Sequence, residues 1–167
     1  MRDKNRELLD AAIAFHGHTC PGLMIGYRAA LIALRELGIR RAQDEELVAI
    51  VENDACGVDA IQVLTGCTFG KGNLIFRDWG KQVFTFGRRN DGRVLRLALR
   101  YETRHPPQTE GLTEEERRSA RIEYLLSAPD DDLYDVRWIN QPLPEPARLF
   151  KTVRCSQCGE GVSESRA

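Results

Sequence analysis

The sequence predicts an α+β fold, with helices packed on an antiparallel-rich sheet and a small cysteine-bearing appendage at the C-terminus. Three observations predict it. Apolar residues recur at helical spacing through the first 37 positions. A continuous apolar run, Leu47-Val48-Ala49-Ile50-Val51, and an alternating one, Leu95 to Arg100, read as strands. A Cys-x-x-Cys pair follows a proline-spaced stretch near the end. The 167 residues suffice for one domain with a real core.

Residues 2–16 read as a first helix, because Leu8, Leu9, Ala12, Ile13 and His16 share a face. His16-Gly17-His18-Thr19-Cys20-Pro21-Gly22 breaks it, and Pro21, with no N–H to lose, suits the first turn of the next helix. That helix, 22–37, is apolar almost all round apart from Arg28 and Arg35, and Gly38 ends it. Such a helix is buried in a core or against a partner, and a two-fold homodimer is the expectation. Leu47–Val51 reads as a central strand, followed by a polar turn and a helix over about 57–65. Residues 74–100 read as a β-meander turning at Asn90-Asp91-Gly92. Thr113 and Glu116 form a capping box for a helix reaching about Leu126. A last strand near Leu133–Trp138 precedes Pro142, Pro144 and Pro146. The expected division is a core domain over 1–140, a linker over 141–153 and a cysteine knuckle over 154–167.

Composition removes several classes of function. A formal net charge of −1 leaves no electrostatic footprint for nucleic acid or an anionic membrane. No apolar run approaches the roughly 20 residues that span a bilayer. The N-terminal stretch lacks the pattern of a signal peptide, so the cytoplasm is the expected location. Five cysteines, at 20, 56, 67, 155 and 158, are an odd number and argue against a disulfide framework.

Four segments carry potential chemistry. His16, His18 and Cys20 place two imidazoles and a thiol on one bend, all good transition-metal ligands. Taken singly, each also reads as a core or loop residue. Cys56 opens a helix after a buried strand, where unpaired N–H groups favour thiolate. Asp59, one turn on, can orient a ligand histidine or simply complement the helix dipole. Thr65-Gly66-Cys67-Thr68-Phe69-Gly70-Lys71-Gly72-Asn73 lacks the spacing of a nucleotide phosphate loop. It reads as a plain connection, or as a cleft wall with Cys67 and Lys71 facing in. Cys155 and Cys158, followed by Gly159, form one knuckle of a zinc ribbon, which needs a second pair roughly 15–20 residues on. The simplest expectation is that the natural chain continues past Ala167 with that pair, so that this tail is either metal-free or poorly ordered.

In order and content, the segments Phe15–Gly22, Asp54–Gln62 and Thr65–Leu74 resemble the family of the E component of formylmethanofuran dehydrogenase, and the Cys155–Glu160 tail resembles that family's ribbon. The resemblance implies a dimeric α+β core followed by a small zinc ribbon, with a metal, zinc above all, in a groove near His16–Cys20 and Cys56. In methanogens the parent complex reduces CO2 onto methanofuran at a molybdenum or tungsten pterin carried by a different polypeptide, which makes the E component accessory. Many members stand alone in other anaerobes.

Two functions follow as expectations. One is a metal-binding accessory protein, partnered with a molybdopterin oxidoreductase. The other is a metal-dependent enzyme in which Cys56, Asp59 or Lys71 take acid–base roles. The expected core ligands are a subset of His16, His18, Cys20 and Cys56, a mixed set suited to zinc, with nickel or iron as alternatives. Cys155 and Cys158 are the expected ligands of the tail.

Overall fold

A computed structural model describes residues 2–104 and 111–167. The order is α1 (Arg2–His16), α2 (Pro21–Leu37), β1 (Leu47–Val51), α3 (Gly57–Thr65), β2 (Leu74–Phe76), β3 (Val83–Arg88), β4 (Val94–Leu99), α4 (Glu114–Ser127), α5 (Asp130–Leu133) and β5 (Tyr134–Ile139). A short hairpin, β6 (Thr152–Arg154) and β7 (Gly161–Ser163), closes the chain. The α+β class holds: helices lie on one face of a five-stranded mixed sheet of order β2-β1-β3-β4-β5.

One part of the expected meander is corrected. Residues 74–76 do not pair with the strand that follows them; β2 runs parallel to β1, with Ala49 opposite Leu74. The helix α3 lies between β1 and β2 in the chain, and a helical crossover returns the chain parallel to its first strand. The hairpin itself is β3–β4, turning at the Asn90-Asp91-Gly92 positions, where Gly92 takes φ +71°.

Helix α2 is the centre of the core. Leu23, Met24, Ile32 and Leu37 are essentially inaccessible to solvent and meet Phe84, Phe86, Leu95 and Leu97 of the sheet. Helices α1, α3 and α4 also contact it, and Leu31 and Leu34 stay partly exposed. Fully burying each such side chain stabilises the fold by about 1.5–3 kcal/mol. The buried Tyr134 hydroxyl donates to the Ile25 carbonyl at 2.6 Å. Outside the helical layer, Leu143 lies against Gly87, Arg89 donates to the Pro144 carbonyl at 2.6 Å, and Ala147 N–H donates to the Glu45 carboxylate at 3.0 Å. The proline-spaced stretch is thus held to the sheet at several points.

Arg28 ties α2 to the end of α4. Its guanidinium donates to the carbonyls of Leu125 and Ala128, at 2.6 and 2.8 Å, and to Asp130 at 2.5 Å. Arg35 adds a second bond to Asp130 at 2.7 Å. Burial alone would raise the Asp130 carboxyl, but the bonds from Arg28 and Arg35 outweigh it and hold its pKa below the usual carboxylate range. The lowered pKa means that Asp130 stabilises the fold above its unfolded value, about 4. That stability disappears as pH falls through the folded value. Asp130→Asn is expected to cost about 1 kcal/mol at neutral pH, discounted for the solvent reaching the carboxylate. In urea unfolding, the gap to the native chain should close progressively below about pH 4.

Candidate metal centre

Three elements deliver the site. Helix α1 ends at His16, and Gly17, at φ +92°, turns the chain while its N–H closes on the Ile13 carbonyl at 2.8 Å. Cys20 is extended and forms the N-cap of α2, its Sγ accepting from Leu23 N–H at 3.3 Å. Cys56 is the N-cap of α3. The two caps meet because α2 and α3 cross almost backbone on backbone. A Cβ added at Gly26 would lie 1.9 Å from the Gly57 carbonyl oxygen, and one at Gly22 would lie 3.2 Å from Cys56 Cβ. Glycines at the crossing let the two thiols converge.

His16, Cys20 and Cys56 present one ligand atom each, all within 4.8 Å of one another. Cys20 Sγ stands 3.7 Å from His16 Nε2. Two donors at a tetrahedral angle, on bonds of about 2.0 and 2.3 Å, stand roughly 3.6 Å apart, so this pair is spaced as two ligands of one metal ion. Asp59 Oδ2 accepts from His16 Nδ1 at 2.7 Å, which leaves Nε2 bare and directed at the thiols. This is the orienting role open to Asp59 in the sequence. Burial pushes the Cys56 thiol up, and the neighbouring Cys20 adds to the rise, against the helix-end effect expected from position alone. A bound cation reverses that balance, because a coordinating thiol is deprotonated. Asp59→Asn, which can leave Nδ1 without its acceptor, is expected to weaken metal binding about 10- to 100-fold in chelator competition.

The structure does not gather every candidate. His18 is exposed and lies beside the cluster, its ring centroid 4.5 Å from that of His16. Cys67 is fully buried, and its thiol donates to the Leu47 carbonyl at 3.3 Å. Burial pushes its pKa up to about 11. Lys71 turns to the carbonyls of Gln43 and Asp44, at 3.5 and 3.2 Å, away from the cluster. Cys155 and Cys158 sit in the β6–β7 turn, where Cys155 N–H donates to Glu160 O and Gly159 N–H to Cys155 O. N–H groups of Cys158 and Gln157 hold the Cys155 thiol below its ordinary pKa. The tail is a folded hairpin, with Thr152 opposite Ser163.

A cleft of about 410 Å³ opens beside the cluster, lined by His16, Cys56 and Asp59 on one side and by Phe69, Leu74 and Phe76 on another. Residues 53–55, Val51, Val58 and Gln62 complete it. The aromatic wall was not singled out from the sequence. Its only signal was the glycine punctuation around Phe69 in a loop between helix and strand.

Residues 15–135 match the family model described as FmdE, molybdenum formylmethanofuran dehydrogenase operon. The chain belongs to this family. The matched span of the FmdE model contains His16, Cys20, Cys56 and Asp59 and ends before the Cys155 hairpin. Among solved structures, the chain is similar to a tungsten formylmethanofuran dehydrogenase FmdE-like protein from Syntrophus aciditrophicus. The TM-score is 0.72 at 27% identity, covering 98% of this chain and 88% of that one. It is also 31% identical, over 188 aligned residues, to a probable S-adenosyl-L-methionine-binding protein of Archaeoglobus fulgidus. That alignment takes in 99% of this chain but 51% of the relative, so the chain spans about half the length of this curated relative. Among the described residues, no helix is long and apolar enough to cross a membrane.

Proposed function

We propose that this FmdE-family chain is a metal-binding accessory protein, holding zinc on His16, Cys20 and Cys56 where small molecules reach it from the cleft. The observation that carries the reading is the convergence of three ligand atoms within 4.8 Å, with Asp59 orienting the histidine. Nickel or iron suits the same mixed donor set. Three protein ligands are what catalytic zinc sites use, the fourth position being left for water or substrate. When bound, such an ion supplies Lewis acidity to whatever donor atom occupies that position. The chain's own residues do the rest: Asp59 fixes the imidazole tautomer, and Phe69 and Phe76 put apolar surface at the mouth of the cleft.

The open position also favours a second reading, a metal-dependent enzyme. Of its expected acid–base residues, Cys56 belongs to the ligand cluster, Asp59 is engaged with His16, and Lys71 is turned away. This distribution supports binding over proton transfer by those three groups. Family membership alone supports a homodimer and a molybdopterin oxidoreductase partner, and the signal-peptide-free N-terminal pattern supports a cytoplasmic location. The name of the Archaeoglobus relative adds S-adenosyl-L-methionine as a ligand to be tried.

The test is cobalt substitution of protein purified without a polyhistidine tag. One cobalt per chain, with thiolate charge-transfer absorption and a d–d band that moves on adding a small exogenous ligand such as azide, is expected for an open site. A spectrum unmoved by every such ligand would mark a closed site and remove the small-molecule reading.

A further inference from the structure

The charges around the cleft narrow what it takes. Two carboxylates, Asp54 and Asp59, line it, and among the described lining residues there is no lysine or arginine. The neighbouring sequence offers three cations, and the fold directs each elsewhere. Lys71 is held by the carbonyls of Gln43 and Asp44, while Arg77 and Lys81 lie over the Trp79 ring, at 5.4 and 5.9 Å. The N-terminus of α3 does not restore a positive pole. The Val58 and Asp59 amides already donate to the Ala55 and Cys56 carbonyls, and Asp59 supplies the negative charge that such an end favours. A divalent ion on two thiolates and a neutral imidazole adds no net charge, so a loaded site stays acidic.

Aromatic surface completes the picture. Phe69 is 76% exposed and Phe76 43% exposed, yet both line the cleft. The loop carrying Phe69 is fastened beneath it: Thr68 N–H donates to Asn73 Oδ1 at 2.9 Å, and fully buried Asn73 donates to the Leu47 carbonyl at 2.9 Å. A loop built this firmly holds a phenyl ring in water at the mouth of a cavity, where the ring gains nothing from the protein's own core. Asp54, also exposed, takes part in no ion pair among the described residues.

We infer that the cleft binds a small organic cation, an ammonium- or sulfonium-bearing molecule, with its charge against Phe69, Phe76 and Asp54. Aromatic faces attract cations through the ring quadrupole, and a carboxylate at the same mouth adds to the attraction. Away from the metal itself, phosphorylated and carboxylated molecules meet repulsion from the same two carboxylates. The inference rests on the reading of this cleft as the functional site and names the class of molecule it accepts.

Three probes with one ring separate charge from shape: benzyltrimethylammonium, benzyl alcohol and benzyl phosphate, titrated into the zinc-loaded full chain by calorimetry. The cation is expected to bind at least about tenfold tighter than the alcohol, in keeping with cation–π and ion-pair attraction in a partly desolvated site. Because a phosphate can itself ligate zinc, the phosphate is titrated into the zinc-free chain as well, where it should show no binding. Asp54→Asn should reduce the cation's advantage to about threefold or less, and Phe69→Ala should weaken the cation and the alcohol together. Both positions are exposed, so both variants should keep the native unfolding midpoint and zinc content. Equal binding of cation and alcohol, binding of the phosphate to the zinc-free chain tighter than that of the cation, or no binding of the cation overturns the inference. Zinc content is read separately: a chain that holds zinc without charge selection keeps the metal reading and loses this one. A chain that selects the cation without holding zinc does the reverse.

Discussion

Cys56→Ser is expected to empty the metal centre, taking zinc from about one per chain to less than a tenth by elemental analysis of untagged protein. Serine keeps the size and the helix-capping position but replaces a soft thiolate with a hydroxyl that stays protonated at neutral pH. His16 and Cys20 remain, and two ligands do not hold zinc against the chelating capacity of ordinary buffers. Loss of an outer hydrogen-bond partner costs about 10- to 100-fold in affinity, so loss of a direct ligand should exceed that range, at about 1,000-fold or more. Cys20→Ser should match it. Two controls make the result specific to the cluster. Cys67→Ser changes a thiol already committed to the Leu47 carbonyl, and the metal should stay. His18→Ala removes an exposed ring outside the three-atom cluster and should also leave the metal in place. Zinc retained by Cys56→Ser, or lost from His18→Ala, would move the ligand set to another subset of the bend.

How much of this was legible in the sequence depends on the range of each interaction. Helices α1 to α4 and β1 were readable because their signals are local: the face of Leu8, Leu9, Ala12 and Ile13, the Thr113–Glu116 box and Gly38, in the left-handed region as a C-cap. The place of β2 was not readable. Leu74–Phe76 carries only three residues of pattern, and its pairing with β1 is decided by the path of α3 between them. The hairpin around Cys155 likewise forms from three-residue strands that no periodicity marks. The site divided along the same line. His16 and Cys20 were visible as neighbours in the chain, and Cys56 as the first residue of a helix. Their meeting depends on a separation of some 40 residues being closed by two glycines. Lys71 looked like a cleft residue because glycines flank it, but the carbonyls of Gln43 and Asp44, distant in sequence, claim its ammonium.

Gly26→Ala is expected to damage fold and site together, because the added methyl has nowhere to go. Its position lies 1.9 Å from Gly57 O and 2.4 and 2.5 Å from the C and Cα atoms of the same residue, all backbone. No flexible side chain can yield, so one helix has to move by about 1.5 Å to reach ordinary contact, a form of overpacking that typically costs about 1–3 kcal/mol and can cost more. With the clash on a fully buried crossing, about 3 kcal/mol is expected for the metal-free chain in urea unfolding. The same movement separates the N-terminus of α2, which carries Cys20, from that of α3, which carries Cys56. A displacement of that size exceeds the tolerance of metal–ligand distances, about 0.2 Å, so zinc affinity should fall even under conditions where the variant remains folded. Gly70→Ala is the matched control: a Cβ there meets nothing within 4 Å, and its stability should change by no more than about 0.5 kcal/mol. Should Gly26→Ala unfold before it can be loaded, Gly22→Ala reads the same crossing more gently. Its methyl would lie 3.2 Å from Cys56 Cβ and 3.6 Å from Cys56 Sγ, displacing a ligand rather than a helix. Native zinc affinity in Gly22→Ala, together with native stability in Gly26→Ala, would mean that the α2–α3 crossing does not set the distance between the two thiols.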